Sequence, residues 1–300
     1  MTEIAPGLPE HVLADVVARA LAEDVGAAGD VTTLATVAPD VVAAADLRAR
    51  APGVVAGLPV VRYVFDTVGQ GRLRTEFGAA DGARIGPGEV LATVRGPVRD
   101  MLTAERTALN LLCHLSGVAT LTRQWVDAVA GTGAQIRDSR KTLPGLRALE
   151  KYAVRCGGGV NHRMSLSDAA LVKDNHVAAA GGVVAAFELV RAAVPGLPIE
   201  IEVDTLAQAR AVVDAGADLV LLDNMSPTEM AEAVRYGSGR CRFEASGGLR
   251  LTDAARVAAS GVDYLSVGAL THSAPALDIG LDIVPPGQPA LDSGADLGGT

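Results

Sequence analysis

The sequence predicts an α/β protein with a parallel sheet, because apolar runs alternate with Ala-rich helical stretches over its second half. The six apolar runs, each ended by polar or glycine residues, are 135–138, 170–173, 199–203, 219–223, 242–245 and 264–268. The helical stretches are 183–194, 205–215, 227–235 and 252–260. Because the last four strands start about every 20 residues, each is one βα unit. Right-handed crossovers then give either a barrel or a doubly wound sheet.

The first third of the chain predicts a small separate domain that contains a sheet. Residues 9–24 have the apolar spacing of an amphipathic helix, and short β-prone runs broken by Gly and Pro follow. Helical spacing resumes over 98–115. The predicted limits are 1–115 for this domain, 116–284 for the parallel-sheet domain and 285–300 for a disordered tail. We expect the C-terminal end of the second domain to pack back on the first.

Composition excludes several classes of function. A net charge of −9 argues against non-specific nucleic-acid binding, and no run of about 18 apolar residues predicts a membrane span. The first 21 residues carry acids and no continuous apolar run, so we expect no signal peptide. The cysteines Cys113, Cys156 and Cys241 are odd in number and far apart, which fits neither a disulfide framework nor a zinc site. We therefore expect a cytoplasmic protein.

Every predicted strand of the second half delivers charge or glycine at its carboxyl end. These strand-end segments are 138–141, 173–176, 202–204, 223–224, 244–248 and 267–269. In parallel α/β barrels the working residues lie at this edge. Six charged ends in register favour an active site over a merely solvated rim.

Basic residues concentrate between Ser139 and Arg163. The six Lys and Arg residues there, against one acid, are Arg140, Lys141, Arg147, Lys151, Arg155 and Arg163. Arg147, Lys151 and Arg155 have i, i+4, i+8 spacing, which predicts the solvent face of a helix. The other three flank strand and loop positions. In a chain of net charge −9, they predict a pocket for an anionic substrate that carries carboxylate or phosphate.

Glycine-rich strand ends predict a phosphate site. Ser246-Gly247-Gly248 precedes a predicted helix, where free backbone N–H groups can bind phosphate. Gly268 ends the next strand and occupies the matching position of the phosphate site that barrels build between late strands.

Two acids at neighbouring strand ends have two possible roles. Glu202 and Asp223 could bind Mg²⁺ through water while the ion holds a diphosphate. They could also form salt bridges with Lys141 or Lys173, and the two roles could alternate between ligand states.

A series of motifs resembles the quinolinate phosphoribosyltransferase family. The motifs run in order as Glu105–Asn110, His114–Gly117, Asp138–Thr142 with Pro144-Gly145, Gly157–Gly159, Asn161–Arg163, Lys173–His176, Glu202–Asp204, Leu222–Asn224, Ser246–Gly248 and Val267–Thr271. The resemblance covers about residues 9–284. Its one departure is Ser139, where the family carries Thr, and the hydroxyl is kept.

This resemblance implies a specific fold and reaction. The fold would be an N-terminal α/β sandwich followed by an open six-stranded parallel βα barrel, the TIM-like type II phosphoribosyltransferase architecture. The enzyme would convert quinolinate and phosphoribosyl pyrophosphate to nicotinate mononucleotide, CO₂ and diphosphate, with Mg²⁺ as cofactor. Members are homodimers, or hexamers built from dimers, whose shared active sites take an arginine from the partner subunit. Arg106 matches that arginine.

The resemblance also assigns roles to residues. The implied substrate-binding set is Arg106, Ser139, Arg140, Lys141, His162, Arg163, Lys173, Glu202, Asp223, Ser246, Gly247, Gly248, Val267, Gly268 and Ala269. Lys141, Glu202 and Asp223 would be catalytic, and the last two would address the metal through water. The two quinolinate carboxylates would be held by Arg106, Arg140, His162, Arg163 and Lys173.

Three other functions stay open from the residues alone. One is a non-decarboxylating phosphoribosyltransferase for a related pyridine acid, and a second is a Schiff-base βα-barrel aldolase that uses Lys141 or Lys173. The aldolase needs a lysine in an apolar pocket, whereas both lysines have charged neighbours in sequence. The third is a non-catalytic sensor, against which the retention of every expected charged residue argues.

Overall fold

The computed structural model describes residues 8–284, which form two compact units. The first unit comprises residues 8–121, 144–157 and 274–284, and the second comprises 122–143 and 158–273. The predicted limits place one boundary near residue 115 and the C-terminal end against the first domain, whereas the first unit runs to residue 121 and takes both 144–157 and 274–284. The predicted disorder of 285–300 lies outside the described residues.

The helices and strands alternate along the chain. Up to residue 128 they are α1 (Glu10–Val25), α2 (Val31–Thr36), β1 (Val42–Ala49), β2 (Gly53–Val54), α3 (Leu58–Gly69), β3 (Arg74–Phe77), β4 (Arg84–Ile85), β5 (Val90–Pro97) and α4 (Val98–Ala128). Next come β6 (Gln135–Arg137), α5 (Arg147–Cys156), β7 (Ala170–Val172), α6 (Asp174–Ala180), α7 (Val183–Ala193), β8 (Ile199–Val203), α8 (Leu206–Asp214) and β9 (Leu219–Asp223). The last are α9 (Pro227–Gly237), β10 (Arg242–Ser246), a 3₁₀ turn (Leu251–Asp253), α10 (Ala254–Ala258), β11 (Tyr264–Ser266), α11 (Ala269–His272) and β12 (Ile279–Val284).

The first unit contains a four-stranded antiparallel sheet in the order β12-β1-β5-β3. Its last strand comes from the C-terminal end of the described chain and pairs with β1 from Ala44 to Ala49. Helix α3 buries an apolar face that includes Val61, Val64 and Phe65, all fully inaccessible to solvent. Burial of this area stabilises the unit through the hydrophobic effect.

The second unit is built on six parallel strands in the order β6-β11-β10-β9-β8-β7. The predicted strands are all present, within two residues of their expected limits at either end. Strands β6 and β7 are at the two ends of this order, so the barrel is open. The predicted α/β class, with a six-stranded open parallel barrel, is confirmed.

Helix α5 corrects one expectation. The i, i+4, i+8 spacing predicts a basic solvent face, but Lys151 is fully buried and only Arg155 of the three is exposed. The helix buries every residue from Leu149 to Val154, including Glu150, whose Oε1 lies 2.9 Å from the His114 Nε2 atom. Sequence spacing shows which residues share a helix face but not whether that face is exposed. A charged face can be buried where polar partners inside the unit pair with it.

Among residues 8–284, no single helix is both long and apolar enough to cross a membrane. Helices α6 and α7 reach that length and composition only when they are counted together, and they meet at an angle of 91°.

Gly117 of helix α4 marks a close contact within the first unit. A Cβ atom at this position would lie 2.1 Å from the Pro275 carbonyl oxygen. Glycine in the middle of a helix costs about 1 kcal/mol relative to alanine. Backbone approach by the segment before β12 therefore explains why glycine stands here.

We predict that Gly117→Ala lowers the free energy of unfolding by about 1–3 kcal/mol, because overpacking outweighs the gain in helix propensity. Gly86→Ala is the control, since a Cβ atom there meets nothing within 4 Å. Chemical denaturation measures both. A Gly117→Ala protein as stable as the wild type would show that the 274–279 segment does not depend on this contact.

Candidate active site

A cavity of about 710 Å³ opens at the carboxyl edge of the six parallel strands. It collects the predicted site residues of the second unit, which are Ser139, Arg140, Lys141, His162, Arg163, Lys173, Glu202, Asp223, Ser246, Gly247, Gly248, Val267, Gly268 and Ala269. Parallel pairing explains the convergence, because Ser246 lies opposite Asp223 and Ser266 lies opposite Arg137 in the strand register. Arg106 is exposed on helix α4 of the first unit.

Further residues complete the lining. Asn224 and Glu244 belong to the predicted charged strand ends but had no individual role assigned, whereas Leu171, Leu221, Leu249, Ser266 and His272 were not predicted as site residues. Ser266 could have been found from strand alternation, since residues two apart on a strand share a face. Glu244 likewise shares a face of β10 with Ser246.

A second, larger cavity of about 1320 Å³ lies at the opposite edge, among the amino ends of the same strands. Ala170, Ile199, Leu219 and Arg242, the first residues of four strands, line it. Size alone would favour this cavity. The chemistry of α/β barrels belongs to the carboxyl edge, where the charged strand ends lie.

Two arginines bring positive charge close together in the carboxyl-edge cavity. Partial burial and the neighbouring charge of Arg140 lower the pKa of the Arg163 guanidinium below its ordinary value. The Arg163 Nη1 atom donates to the Ala169 carbonyl at 2.8 Å, which fixes one side of this guanidinium. Like charges in a partly desolvated pocket favour a bound anion, because the anion relieves their repulsion.

The buried Asp138, which directly follows β6, organises the loop that carries these cations. Its Oδ1 accepts from the His162 backbone N–H at 2.8 Å, and its Oδ2 accepts from the Asn161 side chain at 2.5 Å. On the other side, the Ser139 hydroxyl accepts from the Lys141 backbone N–H at 3.0 Å. The Asp138 carboxylate therefore ties the 161–163 segment to the end of β6.

The two predicted acids differ in their partners. Glu202 forms an ion pair with Lys173, as one of the two alternatives from the sequence had it. The Asp223 Oδ2 accepts from the Asn224 side-chain amide at 2.6 Å. Both acids line the cavity.

The two glycines of the predicted phosphate corner differ in what a side chain would meet. Gly247 has φ +92°, and a Cβ atom there would lie 2.3 Å from the Asn224 Oδ1 atom, so this position requires glycine. At Gly268 a Cβ atom would lie 3.0 Å from the Cδ atom of the flexible Lys141 side chain.

His162 lines the cavity but its ring nitrogens already have protein partners. Nδ1 accepts from the Arg163 backbone N–H at 2.7 Å, and Nε2 lies 2.8 Å from the Glu200 Oε2 atom. In this structure neither ring nitrogen is therefore available for the predicted contact between His162 and a substrate carboxylate.

Among residues 8–284, the cavity lining includes no activated cysteine and no desolvated lysine. Cys156 belongs to the first unit, and burial raises the pKa of its thiol to about 11, which keeps it protonated. Lys173 is ion-paired with Glu202, and Lys141 is exposed. Neither lysine has the apolar surroundings that Schiff-base chemistry needs.

An open parallel barrel whose carboxyl edge combines paired guanidiniums, carboxylates and glycine amides defines an enzyme that acts on anionic, phosphorylated molecules. Two family models match the chain: the quinolinate phosphoribosyl transferase N-terminal domain over residues 30–116 and the C-terminal domain over residues 118–282. The chain belongs to the quinolinate phosphoribosyltransferase family.

Individual relatives agree with the family. The carboxylating nicotinate-nucleotide pyrophosphorylase of Mycobacterium leprae is 54% identical over 273 residues, which are 90% of this chain and 96% of that protein. The crystal structure of NadC from Streptococcus pyogenes has 40% identity and a TM-score of 0.87, and covers 95% of this chain and 100% of its own. Human nicotinic acid phosphoribosyltransferase, at 15% identity and a TM-score of 0.61 over 93% of this chain and 75% of its own, shares the fold alone.

Proposed function

We propose that this protein transfers the phosphoribosyl group of phosphoribosyl pyrophosphate to quinolinate, with loss of CO₂. The products are nicotinate mononucleotide and diphosphate, in the de novo synthesis of NAD. The observation that carries the proposal is the pair of neighbouring guanidiniums, Arg140 and Arg163, in the cavity of a chain of this family. A pyridine dicarboxylate presents two adjacent anions to such a pair.

The cationic side of the cavity holds quinolinate. Arg140 and Arg163 bind its carboxylates through guanidinium forks, and Lys173 adds a third positive charge when it exchanges Glu202 for substrate. A monocarboxylate such as nicotinate leaves part of this charge unpaired. The cation count therefore favours a dicarboxylate over the related acid with one carboxyl group.

The acidic side of the cavity stabilises the reacting sugar. When the pyridine nitrogen attacks the anomeric carbon, the bond to diphosphate breaks and positive charge grows on the ribose ring. Glu202 and Asp223 are carboxylates on neighbouring strands that can stabilise this charge and hold the ribose hydroxyls. Lys141 faces the departing diphosphate.

The glycine corner takes the 5-phosphate. The backbone amides of Ser246–Gly248 and Gly268–Ala269 are the donors, since all five residues line the cavity. After transfer, the ring nitrogen is cationic. The carboxylate at the adjacent carbon leaves as CO₂, and that carbon takes a proton.

Magnesium fits this site as an ion held chiefly by substrate. Within the described chain, the group with three ligating side chains close together is His162, Glu200 and Glu244, and Glu202 and Asp223 are not part of it. Mg²⁺ commonly keeps several waters and uses one or two carboxylates plus substrate phosphates. Glu202 and Asp223 would hold the ion through water, and the ion would neutralise the diphosphate.

A homodimer, or a hexamer of dimers, would complete the site with Arg106 of a second copy. The exposure of Arg106 on helix α4 supports this, because an exposed guanidinium is free to enter another subunit's cavity. We also propose a cytoplasmic location, on the chain's unpaired cysteines and its soluble substrates.

We predict that the purified protein with quinolinate, phosphoribosyl pyrophosphate and Mg²⁺ releases CO₂ and forms nicotinate mononucleotide. Quinolinate labelled at the carboxyl group next to the ring nitrogen makes the release measurable. Nicotinate, assayed side by side, should give little product. Turnover on nicotinate without CO₂ release from quinolinate would overturn the assignment in favour of a non-decarboxylating transferase.

Arg140→Ala should raise the dissociation constant for quinolinate by about tenfold or more, because a charge-assisted hydrogen bond is lost. Arg147→Ala, on helix α5 of the first unit, is the matched control and should change it by less than about twofold, since the net charge falls equally in both variants. Isothermal titration measures both constants. Equal losses would mean that Arg140 does not face the ligand.

A further inference from the structure

A cluster of charged side chains that the proposed chemistry does not use is buried inside the barrel. It consists of Arg137, His162, Glu200 and Glu244, of which Glu200 is 3% and Glu244 is 0% exposed. The Arg137 Nη1 atom lies 2.6 Å from Glu244 Oε2 and 3.9 Å from Glu200 Oε2. Burying charges is costly, so a cluster of this kind needs a reason beyond stability.

The hydrogen bonds of His162 fix the tautomer of its ring. Nδ1 faces the Arg163 backbone N–H at 2.7 Å, so this nitrogen must be an unprotonated acceptor. The proton of the neutral ring is therefore on Nε2, from which it is donated to the Glu200 Oε2 atom at 2.8 Å. Glu200 thus selects the one neutral tautomer that can hold the Arg163 backbone.

The same geometry argues against a metal ion in the cluster, although His162, Glu200 and Glu244 bring three ligating atoms within 4.8 Å of one another. A histidine that binds a metal through Nε2 normally donates its Nδ1–H to a neighbour, whereas Nδ1 here is an acceptor. Arg137 already occupies the space between the two carboxylates as a cation, 2.6 Å from Glu244 and 3.9 Å from Glu200.

Position on the strand connects Glu200 to the cavity. Glu200 and Glu202 lie two residues apart on β8, so their side chains leave the same face of the strand. Glu202 reaches Lys173 at the carboxyl edge, and Glu200 holds His162 deeper in the barrel. The strand thereby supports two of the cations of the cavity through different contacts.

We propose that Glu200 is a positioning residue: through the His162 ring it fixes the backbone of Arg163, and so the place from which the Arg163 guanidinium binds a substrate carboxylate. Asp138 accepts from the backbone N–H of the preceding residue and the Ala169 carbonyl accepts from the guanidinium, while the ring accepts from the backbone N–H of Arg163 itself. His162 then acts through Arg163 and need not touch the substrate. The inference deepens the proposed function and rests on it for its kinetic test.

Glu200→Leu and Glu200→Gln separate positioning from mere burial. Leucine removes the acceptor of the Nε2 proton, and we expect the KM for quinolinate to rise about tenfold, as for one lost buried hydrogen bond, with kcat and the KM for phosphoribosyl pyrophosphate within about threefold. Glutamine keeps an acceptor oxygen and should restore the quinolinate KM to within about threefold of the wild type. Glu232→Leu, which removes an exposed partner of Arg210, is the control and should leave the kinetics unchanged.

A double-mutant cycle tests whether the ring and Glu200 act as one unit. His162→Asn can keep an acceptor near the Nδ1 position but cannot reach Glu200. If Glu200 acts through His162, removing it should have no further effect once the ring is gone. The variant with both Glu200→Leu and His162→Asn should then show the same quinolinate KM as His162→Asn alone, within about threefold. Multiplied effects, or a fall in kcat equal to the rise in KM, would overturn the positioning role.

Nitrogen NMR of ¹⁵N-histidine-labelled wild-type protein reads the tautomer without any activity. The signal missing from His162→Asn identifies the residue, and we expect a neutral ring with its proton on Nε2. A ring protonated at Nδ1, or a stoichiometric metal in the purified wild type that Glu200→Gln loses, would overturn the proposal even if every variant of Glu200 failed to fold. If the wild type does not turn over quinolinate, the proposed function fails and the NMR result still decides the positioning.

Discussion

Parallel pairing of six strands is the constraint on which the whole site depends. Parallel strands place all their carboxyl ends at one edge, so residues more than 130 positions apart in the chain, from Ser139 to His272, line one cavity. Antiparallel pairing would send alternate strand ends to opposite edges. The open barrel therefore brings the charged residues that follow each apolar run of the sequence together in one cavity.

The charged side chains of this cavity form a positive group and a negative group. Burial, and after it the charge of Arg140, lower the pKa of the Arg163 guanidinium, and a bound dianion would offset the repulsion between the two arginines. Glu202 shares its charge with Lys173 until a ligand competes for the lysine. Binding of an anionic ring on one side would thus free a carboxylate for the sugar on the other, and the two halves of the reaction would be coupled by one ion pair.

Much of this arrangement could be predicted from the sequence, because strand ends are local features. The limits of β8 and β9, and the lining residues from Ser139 to Ala269, follow from apolar runs and from the polar residues that end them. The burial of Lys151 could not be predicted, since spacing shows a shared face but not what covers it. Nor could the partners of His162, because Glu200 is one of two glutamates that alternate with apolar residues on β8, and nothing local connects it to a loop 38 positions earlier.

A crystal structure of the protein with quinolinate tests the central claim most directly. We predict that the pyridine ring lies at the carboxyl edge of the six-stranded sheet, with its carboxylates on Arg140 and Arg163 and no contact to the His162 ring nitrogens. Quinolinate bound instead in the larger cavity at the amino edge, against Arg242, would contradict it.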